Sequence, residues 1–409
     1  MRCALALLLT IVLCGAAPSA LHAAEPLRIY LDADRSSAQE STTAIERGIK
    51  TALAEVHNTL LGRPVELTVL DHRGNAMRSL ANLKAAAADP NMLAVYCGLH
   101  SPPVLTNLSF INDSGILLLN PWAAAGPITR PKSGPNWVFR LSVDDTKAGK
   151  VIINRAIAQR GFTRPALLLE KTGWGFSNEK IMVNALAAHG ASPAVTKLFN
   201  WGISVPAAKI MLRDVVTAGA DVIIFVGNAP EGIVFCQAML ELSPALRRPI
   251  ISHWGITGGD FPHVITPALR AQLDIEFLQT RFSFLNIRDN ALARQVFAKA
   301  TALFADVATP EDITAPTGFV HAYDLTRLLI EATKQVELAG KTPENIAAIR
   351  QQTKHALEHL HAPVQGLIKT YTHPFTPYSP DAPDAHEALG AQDLTFGQYG
   401  RHNEIILIP

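Results

Sequence analysis

His355 and His359 stand four residues apart in a segment of helical periodicity, the spacing that brings two imidazoles onto one helix face and can hold a metal ion. No Glu-x-x ordering of the metalloprotease kind surrounds them, and the segment is otherwise charged and solvated, so they read as surface histidines. Asp32 and Asp34 flank the end of the first strand-like run and could pair as carboxylates. The expectation for such a pair is one helix cap and one exposed acid. Nucleophile and nucleotide motifs are missing: there is no Gly-x-Ser-x-Gly, no glycine–lysine phosphate loop and no Gly-x-Gly-x-x-Gly, and "TGGDFPH" is a loop. The sequence therefore assigns no catalytic residue, no metal and no cofactor. A hydrolase would need a nucleophile–base pair that these residues do not supply.

What remains is binding chemistry. Five segments rich in glycine, small polar residues and tryptophan each follow a strand-like run: "GLHSPP" (98–103), "NPWAAAGP" (120–127), "EKTGWGFSN" (170–178), "GNAPE" (227–231) and "SHWGITGG" (252–259). That composition suits a cleft with a few fixed hydrogen bonds and aromatic walls. Ser101 stands where a helix starts, so its first duty is an N-cap and its second a ligand contact. Trp122, Trp174 and Trp254 all fall on such loops, and His100 and His253 join them as hydrogen-bond donors or pH-sensitive contacts.

The elements that must position these loops alternate along the chain. Short β-branched or leucine-rich runs at 27–31, 65–70, 93–97 and 116–119 are separated by stretches of helical periodicity. The pattern restarts with helical 147–159 and strands at 166–169, 194–199, 221–226 and 249–252. This is the signature of βαβ units and a largely parallel sheet, repeated once, with the junction near 141–147. The C-terminal third is less regular: helices at 291–304, 317–338 and 344–360, a proline-punctuated loop from Pro374 to Pro383, and a last strand in "NEIILIP".

The ends and the composition bound the class. Arg2, an apolar run from Ala4 to Val12 and an alanine-rich stretch at 17–24 read as a secretory signal peptide cleaved near Ala23 or Ala24. Lipid anchoring through Cys14 is disfavoured by the bulky Leu13 before it. The expected compartment is the periplasm. With 36 Lys and Arg against 35 Asp and Glu, no electrostatic reason points to nucleic acid or an anionic membrane. Of four cysteines, Cys97 and Cys236 remain after cleavage, in different halves, so no disulfide between them is expected.

The block from Tyr96 to Thr129, "YCGLHSPPVLTNLSFINDSGILLLNPWAAAGPIT", with "EKTGWG", "FVGNAPEG" and "GFVHAYDL", resembles the type I periplasmic binding proteins, in the leucine/isoleucine/valine-binding branch that serves ABC importers. The likeness implies an α/β fold of two doubly wound, Rossmann-like lobes joined by three crossovers, closing on a small solute as a monomer that docks on a membrane permease. A ligand sensor reporting to a membrane signalling protein is the alternative output. The implied division is 25–143 and 259–345 for the first lobe, 144–258 and the chain from 346 for the second lobe and its crossover, with crossovers near 141–146, 254–260 and 362–370. Carried over by position, the resemblance sets Ser101, Ala123 and Ala124 where amino-acid binders hold the carboxylate. It places Trp174 at a closing tyrosine, Asn228 where tyrosine is frequent, Trp254 at the acid that would pair an ammonium group, and Tyr323 on the returning helix. A desolvated ammonium without a carboxylate costs several kcal/mol, and an indole face returns only about 1–2. The expected ligand is thus a carboxylate, an amide-bearing or an aromatic molecule rather than a zwitterionic amino acid.

Overall fold

The structure, a computed structural model, describes residues 25–339 and 345–408. The signal-peptide reading, with Cys14, and the helix start at Glu344 lie outside the described residues. Six strands form the first sheet: β1 (Leu27–Ala33), β2 (Thr59–Leu60), β3 (Arg63–Asp71), β4 (Met92–Cys97), β5 (Leu118–Asn120) and β6 (Val138–Arg140). Their order is β2-β3-β1-β4-β5-β6, all parallel except the β2–β3 hairpin. Every residue of β4 is buried, as a central strand with helices on both faces requires.

The second sheet holds β7 (Pro165–Glu170), β8 (Val195–Phe199), β9 (Val222–Val226), β10 (Ile250–Ser252) and β11 (Ile275–Thr280). After a two-strand hairpin, β12 (Val364–Gln365) with β13 (Thr370–Tyr371), it is completed by β14 (Leu394–Tyr399) and β15 (Ile405–Ile408). The order is β15-β14-β11-β10-β9-β7-β8, with β14 and β15 antiparallel at one edge. β9, "VIIFV", is buried along its whole length between β7 and β10. The repeated βαβ series expected from the alternation, and the α/β fold of two doubly wound units implied by the resemblance, are the ones observed.

The helix Gln39–Glu55 packs on the long helix Pro316–Leu338, and Gly48 sets how closely: a Cβ there would lie 2.3 Å from the Phe319 carbonyl oxygen. The two cysteines sit on different units, Cys97 in β4 and Cys236 in the helix Ala229–Leu240, and both are free and buried.

The chain leaves the first sheet after β6, at 141–145, and the other two crossovers do not fall where the sequence placed them. β11 pairs in parallel with β10, Ile250 opposite Ile275, so the chain stays in the second sheet until Thr280. "IEFLQT" escapes notice as a strand because Glu276 and Gln279 interrupt its apolar pattern. Both are buried, Glu276 against Arg155 Nη2 at 2.9 Å. The 364–371 hairpin belongs to the first unit, where Asp324 on the long helix accepts from Leu367 N (2.6 Å), Ile368 N (3.1 Å) and the Tyr371 hydroxyl (2.8 Å). The chain then runs beside β6, with Arg140 N donating to His386 O (3.0 Å) and Ala388 N to Arg140 O (2.9 Å). It crosses only at 389–394, next to the second crossover, where Arg281 N donates to Asp393 O (2.8 Å).

Candidate functional site

The carboxyl ends of both sheets face one seam, and a cavity of about 270 Å³ lies in it. Ser37, Ala38, Leu99 and His100, which follow β1 and β4, line it from the first unit. Trp201, which follows β8, with Asn228 and Glu231, which follow β9, line it from the second. Ligands in open α/β sheets sit at such strand tips because helix N-termini and loops converge there. Here His100 and Asn228 occupy the positions just before the helices Ser101–Asp113 and Ala229–Leu240. The units touch directly around the cavity: Ser41 N donates to Gly258 O (3.2 Å), and the Trp201 ring centre lies 5.1 Å from that of His100. A larger space of about 610 Å³ opens along the same seam, lined by Glu40, Thr309 and Pro316 on one side and Gly259 and Tyr399 on the other.

A layer of acids stands behind the cavity walls. Asp34 is buried, which opposes its ionisation, yet bonds from His100 Nε2 (3.1 Å) and from the Ser37 hydroxyl and amide hold its carboxyl well below the usual range. That bond fixes the His100 ring and leaves Nδ1 buried with no partner among the described residues. Across the seam, Glu170 Oε2 accepts from Trp201 Nε1 (3.0 Å) and Asn228 Nδ2 (3.0 Å), while Oε1 accepts from the Thr172 hydroxyl (2.5 Å). Burial outweighs these donors and pushes the Glu170 carboxyl up to about 7. Burial also raises Glu231, whose Oε1 accepts from Gly202 N (3.1 Å).

Of the residues singled out from sequence, His100 and Asn228 line the cavity. Ser101 is the first residue of its helix rather than the cap, and its Oγ accepts from Ala125 N (3.2 Å), tying the first loop to the second. Ala123 and Ala124 spend their backbone inward: Ala123 O accepts from Arg140 Nη1 (3.2 Å) and Ala124 O from Asp145 N (2.9 Å). Trp174, His253 and Trp254 form a buried edge-to-face row, with Trp174 Nε1 donating to Asp145 Oδ1 (3.1 Å). His253 Nε2 comes within 3.3 Å of the same oxygen but lacks hydrogen-bond alignment, and Asp145 Oδ2 has no partner among the described residues. The row continues from Trp254 to His321, ring centres 5.6 Å apart. Trp122 is fully buried over Gly318, where a Cβ would lie 2.7 Å from the ring.

Tyr323 stands apart from the seam. It packs in the interface of helices Gln39–Glu55 and Pro316–Leu338, and its hydroxyl donates to Glu55 Oε1 (2.5 Å). The carry-over to Tyr323 rested on a motif that fixes the helix without fixing which side of it faces the cleft. Asp32 and Asp34 also depart from expectation, since both are buried and the cap of the following helix is Ala38. Asp32 accepts from the Ser79 hydroxyl (2.6 Å) and Asn82 Nδ2 (2.7 Å).

Trp201, Glu170 and Glu231 were not singled out. The strand-tip rule would have reached Trp201, because it follows β8 as the other loops follow their strands. β8 is an edge strand with only half-buried residues before Phe199, and the loop after it was not read as a site.

Two sheet-centred units whose strand tips enclose a cavity, with crossovers at one side, define a two-lobed solute-binding protein. The family model described as periplasmic binding protein matches residues 30–374, and the chain belongs to that family. Similar solved structures include a type 1 periplasmic binding protein from Bordetella pertussis Tohama I, 19% identical, covering 94% of this chain and 100% of that one, with a TM-score of 0.75. An ABC transporter solute-binding protein from R. palustris in complex with benzoate is 16% identical over 94% of this chain and 96% of that one, TM-score 0.73. A leucine-binding protein from Thermotoga maritima MSB8 is 15% identical over 94% and 98%, TM-score 0.69. No curated protein matches the sequence.

Proposed function

We propose that the chain is the periplasmic substrate-binding protein of an ABC importer and that its lobes close on a small aromatic solute bearing a carboxylate or an amide. It acts as a monomer and presents its closed form to a membrane permease. The cavity of about 270 Å³ between Trp201, His100 and Asn228 carries this reading, because its size falls just below the roughly 300–1,000 Å³ of drug-sized sites and suits a single ring. Trp201 offers a face for the ring, and His100 Nδ1 and the Asn228 amide offer polar contacts. Similar proteins from Rhodopseudomonas hold benzoate and p-hydroxybenzoic acid, which agrees with an aromatic solute in this fold.

The case against a zwitterionic amino acid changes its footing. Trp254 is buried away from the cavity, but Glu231 lines it. Burial disfavours the Glu231 charge and one of its oxygens already serves Gly202, so it is a poor partner for an ammonium group. Isothermal titration with benzoate, 4-hydroxybenzoate, benzamide, leucine, isoleucine and valine tests this. At least one aromatic compound is expected to bind in the micromolar range or tighter; binding of an aliphatic amino acid alone would refute the proposal. The pH dependence has a definite sign. Glu170, raised to about 7 by burial, is mostly protonated at pH 6 and ionised at pH 8, so a carboxylate solute meets more like charge at the higher pH. Benzoate-type binding should weaken from pH 6 to pH 8, whereas benzamide binding should stay nearly flat.

A further inference from the structure

The helix Ile346–Glu358 ends in a cluster that the solute site does not use. One ligating atom from each of His355, Glu358 and His359 lies within 4.8 Å of the others. The two imidazole rings are 4.1 Å apart. We propose that these three side chains form a binding site for a divalent transition-metal ion on the first lobe, remote from the solute cavity.

Three features favour a metal over a chance grouping. His359 Nδ1 lies 2.9 Å from the His355 carbonyl oxygen, and that bond requires an N–H at Nδ1, so Nε2 is left bare as a ligand. Metal-bound histidines are held in this way, with the distal nitrogen donating to a carbonyl or carboxylate. Glu358 is buried and oriented from behind: its Oε1 takes both Lys354 Nζ (2.5 Å) and His386 Nε2 (3.1 Å), and no hydrogen bond from a described residue reaches Oε2. His355 is exposed, so a small adjustment of its side chain meets little packing resistance in closing the remaining gap to the roughly 2.0–2.2 Å that nitrogen and oxygen ligands take around zinc.

Two imidazoles and one carboxylate, with a position open to water, suit Zn²⁺, Co²⁺, Ni²⁺ or Cu²⁺ rather than Ca²⁺ or Mg²⁺, which want more oxygen ligands. The order His-x-x-Glu-His occurs in some zinc hydrolases with the glutamate as base. Here Glu358 is already committed to Lys354 and His386, so the site is a holding site and not a hydrolytic one. The nearby Lys354 ammonium opposes a second positive charge and keeps the affinity moderate. The surface reading of His355 and His359 from sequence is thus incomplete, because it lacked the Glu358 carboxylate that the helix end turns towards them.

The test is titration of the full, tag-free protein with ZnCl₂ by calorimetry, and with CoCl₂ by visible absorption. The expected result is one Zn²⁺ per chain at micromolar affinity, weakening in acid as protons compete for the nitrogens, and a Co²⁺ spectrum of low-symmetry, four-coordinate type. His355→Ala and His359→Ala should each weaken binding about tenfold or more, and the double variant should abolish it while the helical circular dichroism is unchanged. Wild-type protein that takes up no Zn²⁺, or a double variant that binds as wild type does, would overturn the proposal.

Discussion

Arg140→Met is expected to destabilise the protein by about 3–5 kcal/mol, because it removes the cation bonded to a buried carboxylate and the donor to two buried carbonyls. Arg140 is fully buried at the end of β6. Its Nη2 donates to Glu387 Oε1 (2.6 Å) and Thr129 Oγ1 (3.0 Å), its Nε to Glu387 Oε2 (2.9 Å), and its Nη1 to the carbonyls of Ala125 (2.9 Å) and Ala123 (3.2 Å). Burial already pushes the Glu387 carboxyl up even with the guanidinium in place. One side chain thus joins β6, the loop after β5 and the segment that returns beside β6. Urea unfolding followed by circular dichroism measures the loss. The double variant Arg140→Met, Glu387→Leu should recover much of it, since replacing a buried ion pair by apolar side chains is often close to neutral. Wild-type stability in Arg140→Met alone would show that the network contributes nothing.

Solute affinity should fall about thirtyfold or more when Trp201→Ala and His100→Gln are combined. Base or ring stacking on an aromatic face is worth about 1–3 kcal/mol, a buried hydrogen bond about 1–3 when its partner is left unmatched, and each 1.4 kcal/mol is tenfold. Trp201 is 37% exposed, so its truncation leaves the core intact, and glutamine at position 100 keeps a donor for Asp34. Titration of the aromatic solute into wild type and variant gives the ratio. A ratio near one would remove both residues from the site.

The fold was legible because its signal is long and repeated. Runs such as "VIIFV" and "MLAVYC" are buried on both faces, and short apolar stretches recurring between amphipathic ones are what parallel strands under helices produce. The return crossover was not legible, because β11 carries a buried Glu276 whose partner Arg155 lies far away in sequence. The candidate cavity was half legible. His100 and Asn228 follow strongly apolar strands, and the strand-tip rule reaches them. Trp174 and Trp254 obey the same rule, yet they fold into a buried row with His253, since position after a strand does not fix the direction of a side chain. The roles of the acids behind the cavity were not legible for a related reason: Asp34 acts through His100, and Glu170 through Trp201 and Asn228, contacts between neighbouring strand tips of one sheet that linear order does not show.

Whether a solute is gripped by both sets of strand tips at once is read most directly by hydrogen–deuterium exchange with and without the bound aromatic compound. The expected result is protection in 98–103 of the first lobe together with 199–204 and 227–231 of the second, with 306–316 and 399–407 along the larger seam space unchanged. Protection confined to one lobe, or found only along the larger space, would contradict a solute held between His100, Trp201 and Asn228.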